Sequence, residues 1–150
     1  MVHSAYKCAY EDGSVKSDDE RISGIQQNLY NYMIGKFHIA TLTSCFRLSI
    51  YRNATILRKP TYKMADLPLW LALIDKGDII YLNDETSVYR VLSNSASHST
   101  KKGIRELFMI NALEIKIDYA RQYELYSAQL KLLLQLAKYK LKYYIAKILS

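Results

Sequence analysis

From Phe37 to Leu57 the chain reads FHIATLTSCFRLSIYRNATIL, and within it Phe46, Leu48 and Ile50 alternate with Arg47, Ser49 and Tyr51. Alternation of period two in a run rich in β-branched and aromatic residues predicts half-buried strands, with Arg52-Asn53 as the reversal between 46 to 51 and 54 to 57. Lys59-Pro60 ends the second strand, because proline brings no N–H to a ladder. The next stretch, YKMADLPLWLALIDKGDIIYL, changes period. Asp66 is placed to cap a short helix, Pro68 is tolerated in a first turn whose N–H groups are unpaired anyway, and Gly77 stops the helix. Leu67, Leu69, Trp70, Leu71, Leu73 and Ile74 put apolar mass on more than one side of it, and Asp78 to Leu82 returns the chain to the sheet as a strand. The expected result is a small sheet covered by one helix.

Between Leu92 and Gly103 the sequence LSNSASHSTKKG has no large apolar side chain after Leu92, which marks a linker. From Ile104 to Ser150 there are 47 residues without Gly or Pro, dense in Leu, Ile, Ala, Lys and Tyr, as long helices require. Asp118 is the expected cap dividing them into about 104 to 117 and 119 to 149. At the other end, residues 1–32 hold five acids and three bases together with Gly13, Gly24 and several serines. This net-negative stretch is read as a loose extension. The fold class expected is α+β, with the extension at 1–32, a small N-terminal β-rich domain at 33–84, a linker at 85–103 with room for a short helix, and a C-terminal α-helical assembly domain at 104–150.

Composition narrows the function classes. The 150 residues carry 21 Lys+Arg against 14 Asp+Glu, a formal net charge of +7, with half the side chains apolar and few Gly or Pro. Collagen-like, low-complexity and disulfide-scaffold chains are excluded. Cys8 and Cys45 lie far apart and the imidazoles are His3, His38 and His98, so a reducing compartment and no structural zinc are expected. The apolar run Leu132 to Ala137 sits between Lys131 and Lys138, far short of the ~20 residues that cross a bilayer, and the first 32 residues lack the apolar core of a secretory signal. A soluble cytoplasmic protein with no membrane contact is expected. Ser, Cys, His and carboxylates are scattered without a nucleophile elbow, and no glycine-rich phosphate loop is present. Asp75 and Asp78 flank Gly77, where two carboxylates cap a turn more readily than they hold a cation. No catalytic residue, no cofactor and no metal are therefore expected, and the chain reads as something other than an enzyme.

The C-terminal third carries the clearest asymmetry. From Leu125 onward there are five lysines, at 131, 138, 140, 142 and 147, and no acid. Lys131, Lys138 and Lys142 share one helical stripe while Lys140 and Lys147 lie on another, so weak phosphate contact is open to the first three and a solvated face explains all five. Apolar residues Leu130, Leu132, Leu133, Leu134, Leu136, Leu141, Ile145, Ile148 and Leu149 cover more of a helix's circumference than one neighbour can bury. Tyr119, Tyr123 and Tyr126 form a stripe at i, i+4, i+7, and Tyr139, Tyr143 and Tyr144 add a second cluster. Phenols are enriched where protein surfaces meet. Tyr119, Tyr123, Tyr126, Leu130, Leu133, Leu134 and Tyr143 are accordingly the expected subunit interface.

The motif Leu67-Pro68-Leu69-Trp70-Leu71-Ala72 resembles a stretch found in subunits of GINS, the replication complex that joins the MCM helicase in archaea and eukaryotes. The likeness is to the archaeal subunit corresponding to the eukaryotic second and third Psf subunits, which places a small β-rich domain before a helical one. It covers about residues 46 to 82 in specific detail, and 104 to 150 in architecture. The resemblance implies a noncatalytic scaffold that forms a tetramer with a sister subunit or with itself, on which the MCM helicase and a RecJ/Cdc-type replication factor dock near the nucleoid. It also implies that Pro68 and Trp70 lock the small domain together. The alternative reading is a free-standing basic nucleic-acid-binding protein that uses Lys131, Lys138 and Lys142, distinguished by a steep loss of affinity with salt.

Overall fold

A computed structural model describes residues 1–17, 28–35, 39–93 and 103–148. In chain order they form strands β1 (Val2–Ala9) and β2 (Val15–Ser17), helix α1 (Leu29–Ile34), a 3₁₀ turn at Thr41–Thr43, and helices α2 (Leu48–Asn53) and α3 (Asp66–Ile74). Strand β3 (Ile80–Arg90) and the long helices α4 (Ile104–Gln122) and α5 (Tyr126–Ile148) follow. The chain is α+β, a small sheet first and long helices after it. It divides into two compact units that are interleaved in sequence: 1–56 with 69–91, and 57–68 with 92–150. The change of unit falls inside α3, between Pro68 and Leu69.

In the first unit the sheet has the order β2-β1-β3, with β1 antiparallel to β2 and parallel to β3. Its central strand occupies the segment expected to be a loose extension. His3 and Ser4, neighbours on opposite faces of β1, are both buried, so this end of the strand is covered on both sides. A strand enclosed in that way shows no clean polar alternation, and its two polar residues disguise it in the sequence. Ser4 Oγ lies 2.6 Å from Thr86 Oγ1 across the β1–β3 pair. The register shifts twice, on either side of Ala5. Because β3 runs on to Arg90, residues 85–90 belong to the sheet and not to a linker.

The strands expected over 46 to 57 are absent: α2 stands there instead, and Cys45 makes an isolated antiparallel bridge with Val2. Phe46 and Ile50 fit a period of four as well as a period of two, and a run this short cannot distinguish them. The Phe46 ring lies 6.1 Å from Tyr51 and meets Trp70 edge-on at 6.2 Å. From α3, the residues Trp70, Leu71, Ala72, Leu73 and Ile74 are buried, as is Ile79 before β3. The helix forms as the sequence predicts, and the backbone N–H of Leu67 donates to Asp66 Oδ1 at 2.9 Å. Phe37 and His38, the expected linker from 94 to 102, and Leu149 lie outside the described residues.

In the second unit α4 is the interior helix. Ile110, Ala112, Leu113, Ile115, Ile117, Tyr119 and Ala120 are buried along it. α5 packs on it, and the segment 57–68 crosses it as a strap. The buried Asn111 accepts from the backbone N–H of Lys63 at 2.7 Å and donates to the carbonyl of Thr61 at 2.9 Å. Asp118 accepts from Lys59 Nζ at 2.6 Å and from Tyr62 Oη at 2.8 Å. Burial works to raise the Asp118 carboxyl, but those two hydrogen bonds and the charges of Lys59 and Arg121 hold it below the ordinary carboxylate range.

Asp118 therefore fastens the strap and does not cap a helix. The break comes later, at Glu124, whose φ of 55 is left-handed. The N–H of Leu125 donates to the carbonyl of Ala120 at 2.8 Å, and that of Glu124 to Arg121 at 3.3 Å. This pair of bonds is a Schellman stop, normally built on glycine. A glutamate at its left-handed position gives no sequence signal.

Candidate assembly surface

Helix α5 is made almost entirely of good helix formers, with Lys147 in its last turn where a cation suits the C-terminal end of the dipole. Of its side chains only Ala128 and Leu132 are buried. Eight large apolar ones are exposed: Tyr126, Leu130, Leu133, Leu134, Leu141, Tyr144, Ile145 and Ile148. Leu130 and Leu141 are each 62% exposed, Leu134 66% and Ile148 82%, values that a leucine or isoleucine rarely shows in a run. These residues share one side of the helix, opposite Ala128 and Leu132, because 3.6 residues per turn brings 126, 130, 133, 141, 144 and 148 into one stripe, with Ala137 among them and 134 and 145 along its edge. α5 thus has two apolar faces. The inner one meets its own unit, and the outer one faces solvent.

The lysines border the outer face. Lys131, Lys138, Lys140, Lys142 and Lys147 are all exposed. Lys131, Lys138 and Lys142 run along one margin of the apolar stripe, while Lys140 and Lys147 run along the other. The two stripes that look like dispersed charge in the sequence are thus two edges of one surface. Lys140 Nζ lies 3.9 Å from Glu114 of α4, and Lys142 Nζ lies 5.5 Å from the centre of the Tyr139 ring.

Of the expected interface residues, Tyr126, Leu130, Leu133 and Leu134 lie together on the outer face. Tyr119 does not. It is fully buried, its hydroxyl donating to the Pro68 carbonyl at 2.8 Å and accepting from the Leu57 N–H at 2.9 Å, so it belongs to the interior of its unit. Tyr123 is half-buried at the end of α4 and stacks on Tyr119 with ring centres 6.1 Å apart. Tyr143 is half-buried and covers Gly103, where an added Cβ would stand 3.2 Å from its ring. The surface also extends beyond the expected set, through Leu141, Tyr144, Ile145 and Ile148. Their spacing from Leu134 carried the signal.

The LPLWLA motif contributes nothing to this surface. Leu67, Pro68, Trp70, Leu71 and Ala72 are buried and Leu69 is half-buried, with Leu67 and Pro68 in the helical unit and the remainder in the sheet unit. Trp70 is buried in the sheet unit, where it meets Phe46. Pro68 serves the other unit through its carbonyl. Among the described residues no group of three or more His, Cys, Asp or Glu is placed to hold a metal ion, and no helix is long and apolar enough to cross a membrane. Cys8 and Cys45 form no disulfide. No protein-family model matches the chain, and neither a curated protein nor a solved structure matches it.

Proposed function

We propose that the chain is a noncatalytic assembly subunit that buries the outer face of α5 against other chains. The observation that carries this reading is the exposed row of eight large apolar side chains on one helix. An apolar patch of that continuity marks a contact surface in a folded protein. The LPLWLA resemblance supplies the setting: a GINS-like scaffold joined to the MCM helicase in DNA replication, with a RecJ/Cdc-type factor on the same platform.

Light scattering on a size-exclusion column, for the chain alone and mixed with a candidate sister subunit, tests the assembly. A stable oligomer is expected in at least one case, and the double variant L134E/L141E reduces it to the monomer while its helical circular dichroism is unchanged. A monomer under both conditions overturns the reading. The replication setting has its own test, co-elution with an MCM helicase, whose failure leaves the assembly reading standing. Direct DNA binding that falls steeply with salt, and is lost with Lys131, Lys138 and Lys142, would instead favour the nucleic-acid reading.

A further inference from the structure

The outer face of α5 has a sharper periodicity than amphipathicity alone requires. Leu130, Leu134, Ala137, Leu141, Tyr144 and Ile148 succeed one another at intervals of four, three, four, three and four residues, and all six are exposed. That alternation is the seam of a heptad repeat, in which a helix meets another helix side by side. In this register the positions bordering the seam are Lys131, Lys138 and Ile145 on one side and Leu133, Lys140 and Lys147 on the other. Four of the six are lysine and none is acidic. These are the positions from which paired helices face each other's charges and so choose partner and orientation.

A second copy of α5 is a poor occupant. In a parallel pair each bordering position faces the opposite border of the partner, and in an antiparallel pair it faces the same border. In an antiparallel pair Lys138 meets Lys138 and Lys140 meets Lys140, and in a parallel pair Leu133 meets Lys138 and Lys140 meets Ile145, so in neither arrangement does a bordering lysine meet an acid, at positions where opposite charges stabilise and like charges repel. We propose that the occupant of the outer face is a helix of a different protein, apolar along its own seam and bearing Glu or Asp at the positions that border it. This rests on the assembly reading above and names the chemistry of the partner. A basic helix also suits an anionic lipid surface, but the strict 3.5-residue spacing, with the small Ala137 near the middle of the seam, fits close approach by another helix.

The full-length chain can be titrated against two labelled designed helical peptides, identical in their Leu and Ile seam, one with Glu and one with Lys at every bordering position. Fluorescence anisotropy should show the Glu peptide binding roughly tenfold or more tightly than the Lys peptide, with the advantage shrinking as salt rises. The variant K131E/K138E/K147E should reverse the preference while its circular dichroism stays that of the parent. Equal affinity for the two peptides, or binding of neither, overturns the proposal. So does an oligomer of the chain alone that L134E/L141E abolishes, although that result leaves the assembly reading intact. Preference for phosphatidylglycerol vesicles over the Glu peptide, lost in L134E/L141E, overturns it in favour of a lipid partner.

Discussion

The hydroxyl of Tyr119 pairs two backbone groups of the strap, the Leu57 N–H and the Pro68 carbonyl, against α4. Replacing it with Phe keeps the ring and removes both hydrogen bonds, and the Leu57 N–H, which loses its acceptor, carries the larger penalty, about 1–3 kcal/mol for a buried unsatisfied group. Thermal denaturation of Y119F should show a clear loss, whereas Y126F, at an exposed position, should stay within about 0.5 kcal/mol of the parent. The spacing of Tyr119, Tyr123 and Tyr126 was legible in the sequence. Which of them faces inward was not, because a phenol suits a core and a contact surface equally well. Nearby, burial pushes the Lys116 ammonium down to about 8 from an ordinary value of 10.5. Below pH 8 both folded and unfolded chains are protonated there and the full cost of burying the charge is present. Between about 8 and 10.5 the unfolded chain holds the extra proton, so stability rises with pH, by an amount on the order of 2–3 kcal/mol. Burial, and for Tyr62 also the hydrogen bond to Asp118, raises the phenols of Tyr62 and Tyr119, whose contribution is present below the unfolded value of 10 and is lost above it. Chemical denaturation across this range should therefore show stability climbing from pH 8 and bending down beyond 10, and K116M should remove the climb.

Among the elements, those whose local signals agree with their tertiary surroundings were the legible ones. α3 has an acid at its start, a proline in its first turn and a glycine beyond its end, and it forms where those residues place it. α4 and α5 likewise follow from 47 residues without a helix breaker. β1 was hidden by buried His3 and Ser4, whose burial depends on distant segments covering both faces of the sheet. The same dependence explains α2, since a six-residue run takes its form from what it packs against. The turn between α4 and α5 was misplaced because its left-handed residue is a glutamate. A side chain there costs about 1 kcal/mol relative to glycine. E124G should raise the denaturation midpoint by a corresponding amount without altering the helical content read by circular dichroism, because the Schellman bonds from Leu125 and Glu124 are main-chain only.

At the scale of the whole molecule, the excess of apolar circumference in the last helix could be counted from the sequence, and it stands exposed along α5 from Tyr126 to Ile148. What counting residues could not supply was the edge. Lys140 and Lys147 looked like scatter until the inner face, marked by Ala128 and Leu132, fixed the rotation of the helix about its axis. The division into units was the least legible feature, because residues 57–68 sit between two stretches of the sheet unit yet belong with the helices. That arrangement governs how the protein can be dissected. No single cleavage point releases either half with all its parts: a fragment beginning at Leu92 keeps both long helices but leaves Asn111, Asp118 and Tyr119 without the partners they have on the strap. Such a fragment should exchange its α4 amides far faster than the parent, and adding back a synthetic peptide of residues 57–68 should slow that exchange.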